Sequence, residues 1–112
     1  MKINLPLPQE KKLTIIFRVE PGCLGPRGNE LVDKFCALAQ QEFTGIDADF
    51  IHWEIIPRHD KNLPEMQYQI NNKNLSHDKA EKYLHLFGKK LSEFENHLNK
   101  KISQTIDQFM GY

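Results

Sequence analysis

Residues 12–43 read KLTIIFRVEPGCLGPRGNELVDKFCALAQQEF, and a change of period inside this stretch decides the fold. Leu13, Ile15, Phe17 and Val19 alternate with Thr14, Ile16, Arg18 and Glu20, the two-residue period of a strand with one face on a core. Pro21, Gly22, Gly25, Pro26 and Gly28 then break any regular structure. Beyond them Val32, Phe35, Cys36, Ala39 and Phe43 recur at steps of three and four, which is one apolar stripe of a helix. Asn29 is expected to cap that helix.

Working outward, TGIDAD is a turn cluster, and FIHWEII sets Ile51, Trp53 and Ile55 against Phe50, His52, Glu54 and Ile56 until Pro57 ends the run. A long loop, PRHDKNLP, leads to EMQYQI, with Met66, Tyr68 and Ile70 inward and Gln67 and Gln69 outward. A helix of this length between the first two strands suits a crossover, so these strands are expected to be parallel. The third strand is expected to return antiparallel as a hairpin. The fold class is therefore α+β: a two-layer strand-helix-strand-strand-helix chain with a small mixed sheet, read as one domain over residues 1–112, with 1–11 an extended N-terminal segment.

Ser76 is a good N-cap, with Asp78 in the first turn behind it. From there Ala80, Leu84, Phe87, Leu91, Phe94, Leu98, Ile102, Ile106 and Phe109 follow at steps of three and four. An unbroken helix over 77–110 would be about 50 Å long, against a domain diameter of about 35 Å. Two resolutions are physical: a break at Gly88, or cover for the overhang by a second copy. The second is preferred, which predicts a homodimer through Leu98, Ile102, Ile106 and Phe109. The competing reading folds the stripe back on its own sheet.

Fifteen basic and fifteen acidic residues balance to a formal charge of zero, so no overall field draws the chain to nucleic acid or to an anionic membrane. Nothing in MKINLPLPQEKK resembles a signal peptide, which predicts a cytoplasmic protein. The two cysteines form no Cys-x-x-Cys motif and the five histidines are scattered. No metal and no cofactor is expected. Cys36, on the helix stripe, reads as a small buried hydrophobe.

If the first two strands are parallel, the loops that follow them share one edge of the sheet, the side where open α/β sheets bind ligands. Gly22, Cys23, Gly25, Arg27 and Gly28 from one loop, with Arg58, His59 and Lys61 from the other, are the candidate ligand-binding residues. A glycine-rich turn before a helix can hold an anion on free backbone N–H groups. Here Pro26 removes a donor, and Glu20, Glu30, Asp60 and Glu65 mix the charge. Turn composition alone also accounts for the segment.

Cys23, followed by the Gly25-Pro26 pair ahead of a helix, resembles the active-site turn of thioredoxin-like proteins, and Pro64 before the third strand is similar to their proline-bearing loop. Arg27 stands where a second cysteine would be hoped for. The resemblance implies a thiol enzyme with Cys23 as nucleophile; the helix N-terminus and His59 are the groups expected to activate it. Two classes of function follow. The first is a small homodimeric module that binds a protein or a small anionic ligand at the loop edge, and the second is a thiol-dependent enzyme.

Overall fold

The structure, a computed structural model, describes residues 4–111. It is an α+β fold with a four-stranded mixed sheet and three helices: β1 (Leu13–Val19), α1 (Gly28–Phe43), β2 (Ile51–Pro57), β3 (Met66–Ile70), β4 (Lys73–Asn74), α2 (His77–His85) and α3 (Leu91–Met110). Residues 1–3 of the expected extended segment lie outside the described residues, and Gln9–Lys11 form a short 3-10 turn rather than extended chain.

The strands run in the order β2-β1-β3-β4. β1 and β2 are parallel, with Leu13 beside Ile51 and Phe17 beside Ile55. β3 is antiparallel as expected, but its partner is β1, Ile15 lying opposite Tyr68. The expected hairpin of β2 with β3 does not form, and two features explain why. The outer edge of β2 is occupied by α1: the Gln40 amide donates to the Trp53 carbonyl at 2.9 Å, and the Ile55 N–H donates to Gln40 Oε1 at 2.8 Å. These bonds satisfy an edge that would otherwise template another strand. Residues 58–65 instead cross the end of β1, where the Arg58 N–H donates to the Val19 carbonyl at 2.8 Å and the Arg18 N–H to that of Glu65 at 2.7 Å.

Leu13, Ile15, Phe17 and Val19 join Ile51, Trp53, Ile55 and Tyr68 in one buried cluster with the apolar stripes of all three helices. On the other face of β1, Ile16 and Arg18 are also buried, because β2 and β3 flank them. Arg18 is 8% exposed and has no carboxylate partner among the described residues. Its guanidinium donates to the Pro64 carbonyl and to Gln67 Oε1, each at 2.9 Å, and so staples the crossover loop to the sheet.

The long C-terminal stripe is two helices. The Gly88 N–H donates to the His85 carbonyl and the Lys89 N–H to that of Leu84, the bond pair of a Schellman stop. Gly88 supplies the left-handed residue this stop requires, at φ 74°. The break lets α3 lie back on the core, so Leu98 and Ile102, expected at an interface between copies, are 3% and 7% exposed within the chain itself. Ile106 and Phe109 are part-buried, and the Phe109 ring meets Phe35 edge-on at 5.5 Å. Tyr83 ties the helical layer to the start of the sheet. Its hydroxyl accepts from the Leu13 N–H at 3.1 Å and reaches the Phe50 carbonyl at 2.9 Å.

Candidate functional site

The parallel pairing of β1 and β2 does bring loops 20–29 and 57–65 together. Glu20 receives Arg58 Nη1 and Lys61 Nζ, each at 3.7 Å. The consequence is that this edge neutralises itself. Arg58 also donates to the carbonyls of Leu63 and Lys61 in its own loop, and Arg27 is held by Glu30 at 2.8 Å.

The backbone donors are similarly engaged. The N–H groups of Cys23, Gly25 and Gly28 donate to the carbonyls of Glu20, Gly22 and Gly25, so three of the cradle's donors are spent on closing the turn. Pro21–Leu24 form a 3-10 turn, and α1 begins at Gly28 with Arg27 ahead of it and no side-chain cap. Asn29, expected as the cap, lies inside the helix. The spacing of the glycines has a packing cause. A Cβ on Gly28 would fall 1.7 Å from the Pro21 carbonyl oxygen, whereas Gly25 is needed for its φ of 83° and meets nothing. Cys23 and His59 are both exposed, and no hydrogen bond joins them among the described residues.

Cys36 is buried as expected, and burial, with the Asp33 charge second, pushes its thiol up to about 12. It is inert for the same reason that it packs well.

A different region has the form of a binding site. The end of α1, the middle of β2, the turn after α2 and the first three turns of α3 enclose a cleft of about 290 Å³. Phe43, Trp53 and Phe94 back it, and at 1%, 3% and 9% exposed they belong to the core beneath it. The Trp53 ring stacks on Phe94 with centroids 5.7 Å apart and planes 7° from parallel, and Phe43 leans on Trp53 at 5.1 Å. The Trp53 indole N–H donates to the Ile46 carbonyl at 2.8 Å, which fixes the ring. The rim is charged: Lys89, Lys90, Lys101 and His97, with Asp47 and Glu93. Lys89 lies 4.0 Å from Asp47, and Lys101 lies 3.9 Å from Glu42 with its ammonium 5.7 Å above the Phe43 ring.

No family model matches the chain, and no curated protein or solved structure matches it significantly.

One further polar cluster joins the sheet to both later helices. The Tyr68 hydroxyl donates to Glu95 Oε2 at 3.0 Å, and Glu95 Oε1 lies 3.3 Å from His77 Nε2. Burial, then the Glu95 charge, holds the Tyr68 phenol far above its ordinary range, so it stays a donor. The cluster contains no nucleophile and acts as a clamp between β3, α2 and α3. Among the described residues no group of three metal-ligating side chains comes together, and no helix is long and apolar enough to cross a membrane.

Phe43, Trp53 and Phe94 each fit an apolar pattern, read as core and are core, so nothing in their spacing marks the cleft that lies over them. The available signal was on α3, where Lys90, Phe94, His97 and Lys101 follow at steps of four, three and four, one face beside the apolar stripe.

Proposed function

We propose that this chain is a small, non-catalytic cytoplasmic binding module whose ligand seat is the aromatic cleft between α1, β2 and α3. The observation that carries the reading is a cleft of about 290 Å³ under a charged rim, backed by the buried Phe43, Trp53 and Phe94. That volume is near the lower end of small-molecule sites, which are concave, largely apolar and oriented by a few polar groups. The loop edge is the weaker seat, since its arginines and three of its backbone donors hold the turn together. The thiol reading lacks a base beside Cys23. A homodimer through α3 is left with Ile106 and Phe109, the part-buried end of the stripe.

Amide and indole N–H chemical shifts, followed while small aromatic fragments are added, test the reading. The expected result is a set of shifts confined to the Trp53 indole and to Phe43, Phe94 and Leu98. Shifts confined to residues 22–28 and 58–61 would move the seat to the loop edge. Turnover of a disulfide or thioester substrate that Cys23→Ser abolishes would make the protein an enzyme.

A further inference from the structure

We infer that β2 is a latent docking edge for a second copy of this chain, and that the Gln40 carboxamide holds it shut. β2 is an outer strand of the sheet. The residues flanking it face β1: the Phe50 carbonyl accepts from the Leu13 N–H at 3.0 Å, and the Arg58 N–H donates to the Val19 carbonyl at 2.8 Å. Strand alternation therefore turns the backbone groups of Ile51, Trp53 and Ile55 outward, and Pro57, which has no N–H, closes the row.

The Gln40 amide donates to the Trp53 carbonyl at 2.9 Å, and its Oε1 accepts from the Ile55 N–H at 2.8 Å. A residue of a parallel strand bonds its neighbour in this same way, giving its N–H to one residue and taking that of the residue two further on. The side chain thus stands in for one residue of an added strand. Its orientation is set, because exchanging O and N would face donor with donor at Ile55 and acceptor with acceptor at Trp53. Thr44 Oγ takes the other amide hydrogen at 3.2 Å and itself donates to the Gln40 carbonyl at 2.6 Å.

The residues of β2 show what this plug excludes. Two identical edges related by a two-fold axis pair antiparallel. Centred on Trp53, such a ladder sets Trp53 against the same residue of the copy and Ile51 against Ile55. Every bond in it draws on the Trp53 C=O, the Ile55 N–H or the Ile51 N–H. Gln40 holds the first two, and the Asp47 carbonyl holds the third at 2.9 Å. Removing Gln40 therefore frees the centre of the ladder. The same register places His52 opposite Glu54 on both sides of the axis, a cross-strand pair of the attractive kind. These two side chains already meet at 3.7 Å within one strand. The edge is self-complementary in its side chains and is closed only in its backbone.

The test is sedimentation of the whole chain from micromolar to millimolar concentration. The unaltered protein should stay a monomer through this edge, whereas Gln40→Leu, which keeps the bulk and loses both bonds, should double in mass at the upper end. Gln40→Lys loses the same bonds but puts on the edge a charge that resists pairing, so it should remain a monomer. Adding His52→Glu to Gln40→Leu sets like charges opposite each other and should restore the monomer. In dilute Gln40→Leu the Ile55 N–H should exchange about five- to tenfold faster, the loss of one bond, and slow again on pairing. A folded Gln40→Leu that stays monomeric, or an association that Gln40→Lys shares or that His52→Glu leaves untouched, overturns the inference. Unprotected exchange at the Ile55 N–H of the unaltered protein overturns it as well, whatever the variants do, since an uncapped amide there means no plug.

Discussion

The glycines of the β1–α1 loop can be told apart by one substitution series, and the outcome decides between a packed corner and an anion cradle. In Gly28→Ala the new Cβ would lie 1.7 Å from the Pro21 carbonyl oxygen. Relief even to 3.0 Å, the closest approach real Cβ atoms make, needs a shift of more than 1 Å, and the obstacle is the backbone of a turn closed by its own hydrogen bonds. Overpacking typically costs about 1–3 kcal/mol, and a rigid backbone obstacle belongs at or above the top of that range. Alanine returns up to about 1 kcal/mol of helix propensity, less at a first-turn position. A net loss of about 2–3 kcal/mol remains, which for a domain of this size lowers Tm by about 8–15 °C.

Gly25→Ala meets no atom but must hold φ 83° and ψ −165°, a region open essentially to glycine alone, at about 1–3 kcal/mol. Gly22→Ala has its nearest neighbour at 4.0 Å and no unusual φ, so its change should stay within about 0.5 kcal/mol. Calorimetry on the three variants, with and without phosphate, is the assay. If Gly28→Ala melts within 3 °C of the parent, or if phosphate stabilises the parent and all three alanines abolish that gain, the corner explanation is wrong.

Three further outcomes are expected. Arg18→Ala removes the staple to Pro64 and Gln67 and should cost about 2 kcal/mol in urea melts. Limited proteolysis should then cut first within 58–65, and Arg18→Met should recover part of the stability by restoring packing alone. Ile102→Asp puts a carboxylate at a position 7% exposed within the chain, so it should unfold the protein; a folded variant whose sedimentation mass has halved would instead place Ile102 between two copies. Cys36 has its folded pKa raised from 9.0 to about 12. Below about pH 9 both states keep the proton. Above it the unfolded thiol ionises first, so stability falls as pH rises toward 12, by about 1.4 kcal/mol per pH unit relative to Cys36→Ala. Equal slopes for the two proteins between pH 9 and 11 would show that the thiol is not held neutral.

What the sequence determined by itself was local. The alternation from Leu13 to Val19 and the three-and-four spacing from Val32 to Phe43 are written in neighbouring residues, because side-chain periodicity is a short-range property; the stop at Gly88 was one of two resolutions the sequence left open, and the less favoured one. The parallel β1–β2 pair followed from crossover length, and with it the meeting of the two loops. Tertiary structure alone decided the rest. Tyr68 could align with Trp53 or with Ile15 equally well by pattern, and the choice fell to β1 because Gln40 occupies the far edge of β2. Ile16 and Arg18 alternate like surface residues yet are buried, since a central strand is shielded by neighbours its own sequence does not reveal. Leu98 and Ile102 are covered by the chain's own core once Gly88 turns the helix back. The cleft depends on the same turn: Phe43, Trp53 and Phe94 come from three elements spread over half the chain, and only tertiary packing sets them side by side beneath the charged rim.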